Sequence, residues 1–386
     1  MFSTIFVCLL TVLVVSFSLS PFLISYAETV EATEDSWTTM EPMPTPFYST
    51  IGAAAVDGKI YFLGSHINGQ YDLETNTWTA IAPLPTYNDW STVVACQNKI
   101  YVIGGSAETP TQVYDPATDT WENKTPIPTT RSALQANVVD GKIYVIGGQI
   151  PSPLGVVNPS SANDVYDPAT DTWSKMASIP TPVMGYASAV LDNKIYIIGG
   201  GKIGGPDYSP INQVQIFDPK TNQWTNGIPI PTGVISARAC ATTGLFAPKR
   251  IYVIGGTLTS YYRWASYNVI DLNQVYDQET DTWTTGTPMS TPRCALGIAV
   301  VNDELYAIGG HNGSGVVPAN EKYTPIGYIP ELPNDEKPTT PTTEPFPTTW
   351  VVAAIAIIAI VGATLLVYFK KVKKTTGKVE QQSLQY

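Results

Sequence analysis

Lys142-Ile143-Tyr144-Val145-Ile146-Gly147-Gly148 is the stretch whose reading decides the fold. Ile, Tyr and Val in an unbroken run favour a strand, and the two glycines end it. Immediately upstream, Asp140-Gly141 is a tight hairpin turn leading back to SALQANVV, residues 132 to 139. Both segments are almost continuously apolar, so both faces of the sheet they form are covered. Downstream, NDVYDP (163 to 168) and TWSKMASIP (172 to 180) read as two more strands joined by turn-forming text. One unit is therefore a meander of four antiparallel strands, A to D.

The same unit recurs six times. The glycine pairs are Gly104-Gly105, Gly147-Gly148, Gly199-Gly200, Gly255-Gly256 and Gly309-Gly310, with Gly64-Ser65 as a degenerate first member. A tyrosine precedes each by three positions: Tyr61, Tyr101, Tyr144, Tyr196, Tyr252 and Tyr306. Farther on, an aromatic residue precedes Trp by seven positions in Tyr71/Trp78, Tyr114/Trp121, Tyr166/Trp173, Phe217/Trp224 and Tyr276/Trp283. A self-similar period of this length means a repeat architecture, and radial repetition of small sheets removes the exposed edges of a long open one. Over residues 36 to 328 the chain resembles the kelch repeat family, whose signature is the double glycine followed by a spaced Tyr and Trp. The resemblance implies an all-β, six-bladed β-propeller.

Ring closure is legible in what is missing. The sixth unit has Gly309-Gly310 and Tyr323 but no Trp seven residues later, whereas Trp37 in SWTTMEPMP has no strands A to C before it. Residues 36 to 44 are therefore expected to supply strand D of blade six.

The two ends speak of a compartment. Residues 5 to 24 carry no charge and lead to Ser25-Tyr26-Ala27, small residues at both recognition positions of a signal-peptidase site, which assigns 1 to 27 to a signal peptide. The basic n-region is absent, leaving an uncleaved signal anchor as the alternative. Trp350 to Phe369 holds 20 uncharged residues, enough at ~1.5 Å per residue to span a ~30 Å hydrocarbon layer as a transmembrane helix. Lys370, Lys371, Lys373 and Lys374 follow it, placing the basic tail, 370 to 386, in the cytoplasm. Between propeller and helix, residues 329 to 349 are rich in Pro and Thr and read as an extended stalk. The expected location is the cell membrane, single-pass, with the propeller outside. The net charge of −11 is uneven, because residues upstream of the tail hold 16 basic against 31 acidic side chains. That deficit disfavours a nucleic acid partner.

Function is sought on one face. In such a meander the D-to-A and B-to-C connections share a side of the disc, and the other side holds tight turns. Between the second glycine position and the strand C aromatic lie 5, 8, 17, 16, 19 and 12 residues in blades one to six. Blades three to five thus raise a lopsided crown, where binding residues concentrate. The blade-five loop presents Tyr261, Tyr262, Arg263 and Trp264, residue types that dominate recognition surfaces. Arg131 and Arg293 hold matching positions at the start of strand A, Arg238 lies near the equivalent point, and blade two has Asn88 and Trp90 there. In the similar eukaryotic kelch adaptor that senses oxidative stress, arginines at this strand position bind acidic peptide side chains; the resemblance implies a pocket rim at Arg131 and Arg293. His66 and His311 follow the glycine positions in adjoining blades, but no third ligand stands at suitable spacing, so no metal is expected. Cys96, Cys240 and Cys294 fall on inner strands, with Cys240 and Cys294 the neighbouring-blade pair; buried free thiols are expected. Asn123 and Asn312 head surface-compatible glycosylation sequons.

The glycine run at 199 to 205 lacks the terminal Lys-Ser/Thr of a phosphate-binding loop. No serine elbow, HExxH or paired-Cys motif is present, and the copper ligands of the kelch-type galactose oxidase have no counterparts, so no catalytic residue and no cofactor are expected. The reading is a membrane-anchored extracytoplasmic binding module for protein or glycan, similar to the surface kelch proteins of prokaryotes, archaea among them. Two alternatives stand beside it: a carbohydrate-active enzyme resembling the periplasmic kelch epimerase of sialic acid, and a structural spacer of the cell envelope.

Overall fold

A computed structural model describes residues 35–45, 50–64, 68–86, 89–105, 107–151, 158–203, 208–259 and 268–330. The signal peptide, the transmembrane helix, the basic tail and residues 331 to 349 of the stalk lie outside the described residues. Six four-stranded antiparallel sheets are present, each in the order A-B-C-D. In blade three, Gln135–Val139, Lys142–Ile146, Asn163–Asp167 and Thr172–Lys175 pair in sequence, with Asn137 opposite Tyr144 and Tyr166 opposite Trp173. The inner strands Thr50–Val56, Thr92–Cys96, Gln135–Val139, Ala187–Leu191, Arg238–Ala241 and Gly297–Val301 pack one against the next, and the last against the first. The ring is closed.

Its hydrophobic interior is divided into six clusters, each between two neighbouring blades. One joins Ala299, Tyr306 and Ile308 of blade six to Ile60, Phe62 and Tyr71 of blade one. The unbroken apolar runs of strands A and B are thus explained: each blade buries both faces.

The latch forms as expected. Ser36–Thr39 pairs with Asn320–Thr324, Trp37 opposite Tyr323. The ring centroids of that pair are 4.9 Å apart, as against 5.0 Å for Tyr71/Trp78 and 5.0 Å for Tyr166/Trp173. Sequence carries the match further, because each Trp also stitches its blade to the preceding one. The indole Nε1 of Trp173 donates to Thr125 O (3.0 Å), and the N–H of Thr125 donates to Asp171 Oδ1 (2.9 Å) in the C-to-D turn. In blade six Trp37 Nε1 donates to Thr287 O (2.8 Å), and the N–H of Thr287 donates to Asp35 Oδ2 (3.0 Å). Asp35 therefore occupies the place of a C-to-D turn aspartate at the open N-terminal end.

The glycine pair is a seam between blades. In blade five the first glycine, Gly255, has φ of 66°, and a Cβ there would stand 2.2 Å from Arg293 O in blade six. The second, Gly256, donates its N–H to the same carbonyl at 2.8 Å. Gly147 and Gly148 repeat this against Val183 O, with an N–H···O distance of 3.0 Å. A side chain at the first position would wedge two blades apart.

One expectation about the far face is corrected. It holds tight A-to-B turns except in blade five, where Thr242 to Lys249 form a longer connection folded over Asp303 of blade six. The Asp303 carboxylate accepts from the N–H groups of Thr243, Leu245, Phe246 and Ala247. The same connection holds the last described segment, since Ile329 N–H donates to Phe246 O at 2.6 Å.

Candidate functional site

Four residues separate Arg131-type positions from Arg238-type positions in the repeat, and that offset decides what each arginine does. Arg131 is fully buried. Its Nη1 donates to Gly147 O (2.7 Å) and Ala162 O (3.3 Å), and its Nη2 donates to Val145 O (3.3 Å) and to the Asp164 carboxylate on strand C. Arg293 is also fully buried, donating to Gly309 O (2.8 Å), Ala307 O (3.2 Å), Ala319 O (3.3 Å) and the Glu321 carboxylate. Burial pulls both guanidiniums below the usual arginine range while the neighbouring carboxylate pulls the other way. Neither reaches solvent, so the rim position expected for Arg131 and Arg293 is replaced by an interior one. Each fastens the glycine pair of its own blade to strand C.

A signal for this was present in the repeat. At the strand C position of Asp164 and Glu321, blades two, four and five carry Gln112, Gln215 and Gln274. The last two face blades whose Arg131-type residue is Val183 or Val234. Each glutamine clasps a D-to-A backbone instead: Gln215 Oε1 accepts from Thr181 N–H (2.8 Å) and its Nε2 donates to Thr181 O (3.0 Å), as Gln274 does with Thr232 (2.8 and 3.1 Å). In these five blades acid appears where arginine appears, and amide where it does not; blade one has Gly69 at that position.

Arg238 behaves differently. It opens strand A of blade five opposite Ile254, as Gln135 opens blade three opposite Ile146. Its Nε donates to Leu296 O of blade six at 2.9 Å. No carboxylate among the described residues pairs with it. Burial pushes its pKa down to about 10, which leaves it charged at neutral pH. The titratable groups acting on it are Tyr186, raised by burial to about 12, and Cys294, raised by burial to about 11, both neutral at that pH.

Arg238 lines an axial cavity of about 300 Å³ enclosed by the inner strands. The wall is built from Ala, Val and Ile of several blades with Thr92, Gln135 and Ser188, and Arg238 is the one charged residue among those lining it. Above the strands runs a girdle of backbone bonds. Ala133 N–H donates to Trp90 O (3.2 Å), Gly185 to Ala133 (2.9 Å), Ser236 to Gly185 (2.6 Å) and Ala295 to Ser236 (2.8 Å). Every one of these five residues has a left-handed φ, between 50° and 63°. Trp90 thus enters the girdle through its backbone carbonyl.

The crown is built on short ribbons. In blade three Gln149–Ile150 pairs with Asn158–Pro159, and in blade four Gly201–Ile203 pairs with Tyr208–Pro210. Tyr261, Tyr262, Arg263, Trp264, Asn88 and His66 lie outside the described residues. His311 sits half-buried at the base of the blade-six loop. Its Nδ1 accepts from Gly313 N–H at 3.0 Å, and burial lowers its pKa. Cys96, Cys240 and Cys294 are buried free thiols, so Cys240 and Cys294 form no disulfide. The side chains of Asn123 and Asn312 are exposed.

Comparison with known proteins agrees with this architecture. The family model for the KLHDC2/KLHL20/DRC7 Kelch-repeats domain matches residues 92–310. Kelch-like protein 35 of Mus musculus is 34% identical over 294 residues, covering 75% of this chain and 39% of its own length. Kelch-like protein terF of Aspergillus terreus is 28% identical over 318 residues, covering 81% of this chain and 54% of its own length. The chain therefore spans only part of the length of these relatives. Among solved structures, that titled "Structure of YjhT" superposes with a TM-score of 0.62 at 20% identity, covering 73% of this chain and 96% of that one. The chain belongs to the kelch-repeat family, whose propellers serve in general as protein-interaction modules.

Proposed function

We propose that this kelch propeller is a recognition module displayed outside the cell on a membrane anchor, binding a protein or glycan through its loop-bearing face. The observation carrying this reading is the asymmetry of the disc. The ribbons of blades three and four rise on the face where strands B end, and the axial cavity is walled by the strands beneath. The last described residues instead run along the blade-five A-to-B connection on the other face.

The test has two parts. Protease added outside intact cells should release the propeller and spare an epitope placed after Tyr386; release of the epitope instead would reverse the topology. A full chain with residues 152–157, 204–207 and 260–267 replaced by short Gly/Ser links should fold yet lose partners captured by the unaltered chain from a surface peptide and glycan screen. Retention of every partner would remove the crown from the account. The enzyme alternative would need an accessible cation for the carboxylate of an acidic sugar, and Arg131 and Arg293, both enclosed, do not offer one.

A further inference from the structure

Blade one breaks the strand C rule of its sisters. Two residues ahead of the strand C aromatic, blades two, four and five carry Gln112, Gln215 and Gln274, and blade one carries Gly69. Each of those glutamines is buried and clasps both backbone groups of a threonine in the D-to-A connection: Gln112 Oε1 accepts from Thr86 N–H (2.8 Å) and its Nε2 donates to Thr86 O (2.7 Å), as Gln215 does with Thr181 and Gln274 with Thr232. Thr45 stands eight residues beyond Trp37, as Thr86 does beyond Trp78, Thr181 beyond Trp173 and Thr232 beyond Trp224. It is thus the blade-one counterpart, and it makes no hydrogen bond among the described residues. Gly69 pairs with Phe62, where blade two pairs Gln112 with Val102. The larger Phe62 takes up part of the space that a glutamine would fill. A pocket of about 130 Å³ is left, lined by Gly69, Thr45, Phe62, Trp78, Met43 and Ala80 among others. A hole of ~150 Å³ is enough to hold a benzene ring.

We propose that this pocket binds a primary carboxamide on a short aliphatic stem, the side chain of a glutamine in a protein partner, its oxygen taken by Thr45 N–H and its NH₂ by Thr45 O. The sister blades show the chemistry, because the same group in the same place already makes this pair of bonds three times within the chain. Phe62 and Trp78, ring planes at 88°, wall the stem. A carboxylate is disfavoured, since no charged side chain lines the pocket and desolvation would go unrepaid. A plain aliphatic group would fill the hole and make neither bond.

The D-to-A connections belong to the loop-bearing face, so this site rests on that face being the binding face, but the two fail separately. Propionamide is titrated into the full chain in detergent, with propionate and N,N-dimethylpropionamide as controls at equal ionic strength. Propionamide is expected to shift the Thr45 amide resonance and raise the melting temperature, and both controls to bind at least about tenfold more weakly. Thr45→Pro deletes that N–H on an exposed connection and should weaken propionamide about tenfold, read at the Trp78 indole resonance. A Cβ on Gly69 would stand 3.2 Å from Trp78 Cε3, so Gly69→Gln is combined with Phe62→Val, which rebuilds the blade-two pair. That chain should melt above the parent and bind no propionamide. Absence of a response at Thr45, equal binding of the dimethyl compound, or undiminished affinity in folded Thr45→Pro or in the folded double variant overturns the proposal. A glutamine inside an extended peptide should bind at least as tightly as propionamide; its exclusion would leave a free amide as the source and overturn the assignment to a protein partner. The chain with shortened crown loops should keep the propionamide site. Loss of that site with loop-dependent capture intact would sink this inference and leave the module reading standing.

Discussion

Trp37 lies against Tyr323 with ring centroids 4.9 Å apart and planes tilted by 43°, the geometry that every other blade obtains from residues seven apart. Here the two come from opposite ends of the propeller. To the packing of blade six on blade one, ring closure therefore adds a single short strand, one aromatic pair and the Asp35 stitch to Thr287.

Trp37→Ala should lose both the ring contact and the bond to Thr287 O, at about 2–3 kcal/mol. Trp173→Ala removes the same contacts inside one continuous blade and should cost a similar amount. Urea unfolding followed by far-UV circular dichroism measures both. A cost below about 0.5 kcal/mol for Trp37→Ala alone would mean that the latch is not closing the ring.

The two buried arginines make a prediction with an internal control. Arg131→Val alone strands the Asp164 carboxylate in the interior and should cost about 3–5 kcal/mol. Arg131→Val with Asp164→Gln reproduces the Val183/Gln215 arrangement that blade four already uses, with the new glutamine free to clasp the D-to-A backbone. The double variant should recover most of the loss. Equal instability of single and double variants would refute the reading that carboxylate and arginine belong together.

Acid should weaken the stitches. Asp119 is held below the usual carboxylate range by the Ala82 N–H and then the Tyr114 hydroxyl, and Asp171 chiefly by the Tyr166 hydroxyl. A carboxylate depressed in the folded state stabilises the fold above its unfolded pKa and loses that contribution as pH falls through the folded value. The melting temperature should thus hold between neutral pH and about 5 and fall below about 4. Asn76 and Asn222 accept the same inter-blade N–H groups without a charge. Asp119→Asn with Asp171→Asn should therefore flatten the acid limb while preserving stability at pH 7; an unchanged acid limb would assign it to other carboxylates.

Cys96, Cys240 and Cys294 are buried, and burial raises all three thiols above the ordinary range. A thiol-specific chromogenic reagent at pH 8 should label the folded propeller far more slowly than free cysteine, with all three thiols appearing on unfolding. Fewer than three after unfolding without reductant would show a disulfide in the cellular product.

The sequence by itself determined the number of blades, the register of each meander, the apolar inner strands and the N-terminal latch. Every one of these follows from local periodicity and from bonds between strands adjacent in the chain, and the repeat supplies six readings of the same rule. It also held the pairing of Arg131 with Asp164 and Arg293 with Glu321, as an acid that appears on strand C only where an arginine stands four positions before strand A begins. The longer blade-five connection clasping Asp303 carried no comparable signal, because its partner lies in another blade. Only the tertiary structure decided which arginine is spent and which is free. An offset of four repeat positions, from the connection ahead of strand A to that strand's first residue, turns a guanidinium from its own blade's glycine seam toward the axis, and the axis is a place that exists only after the last strand has closed on the first.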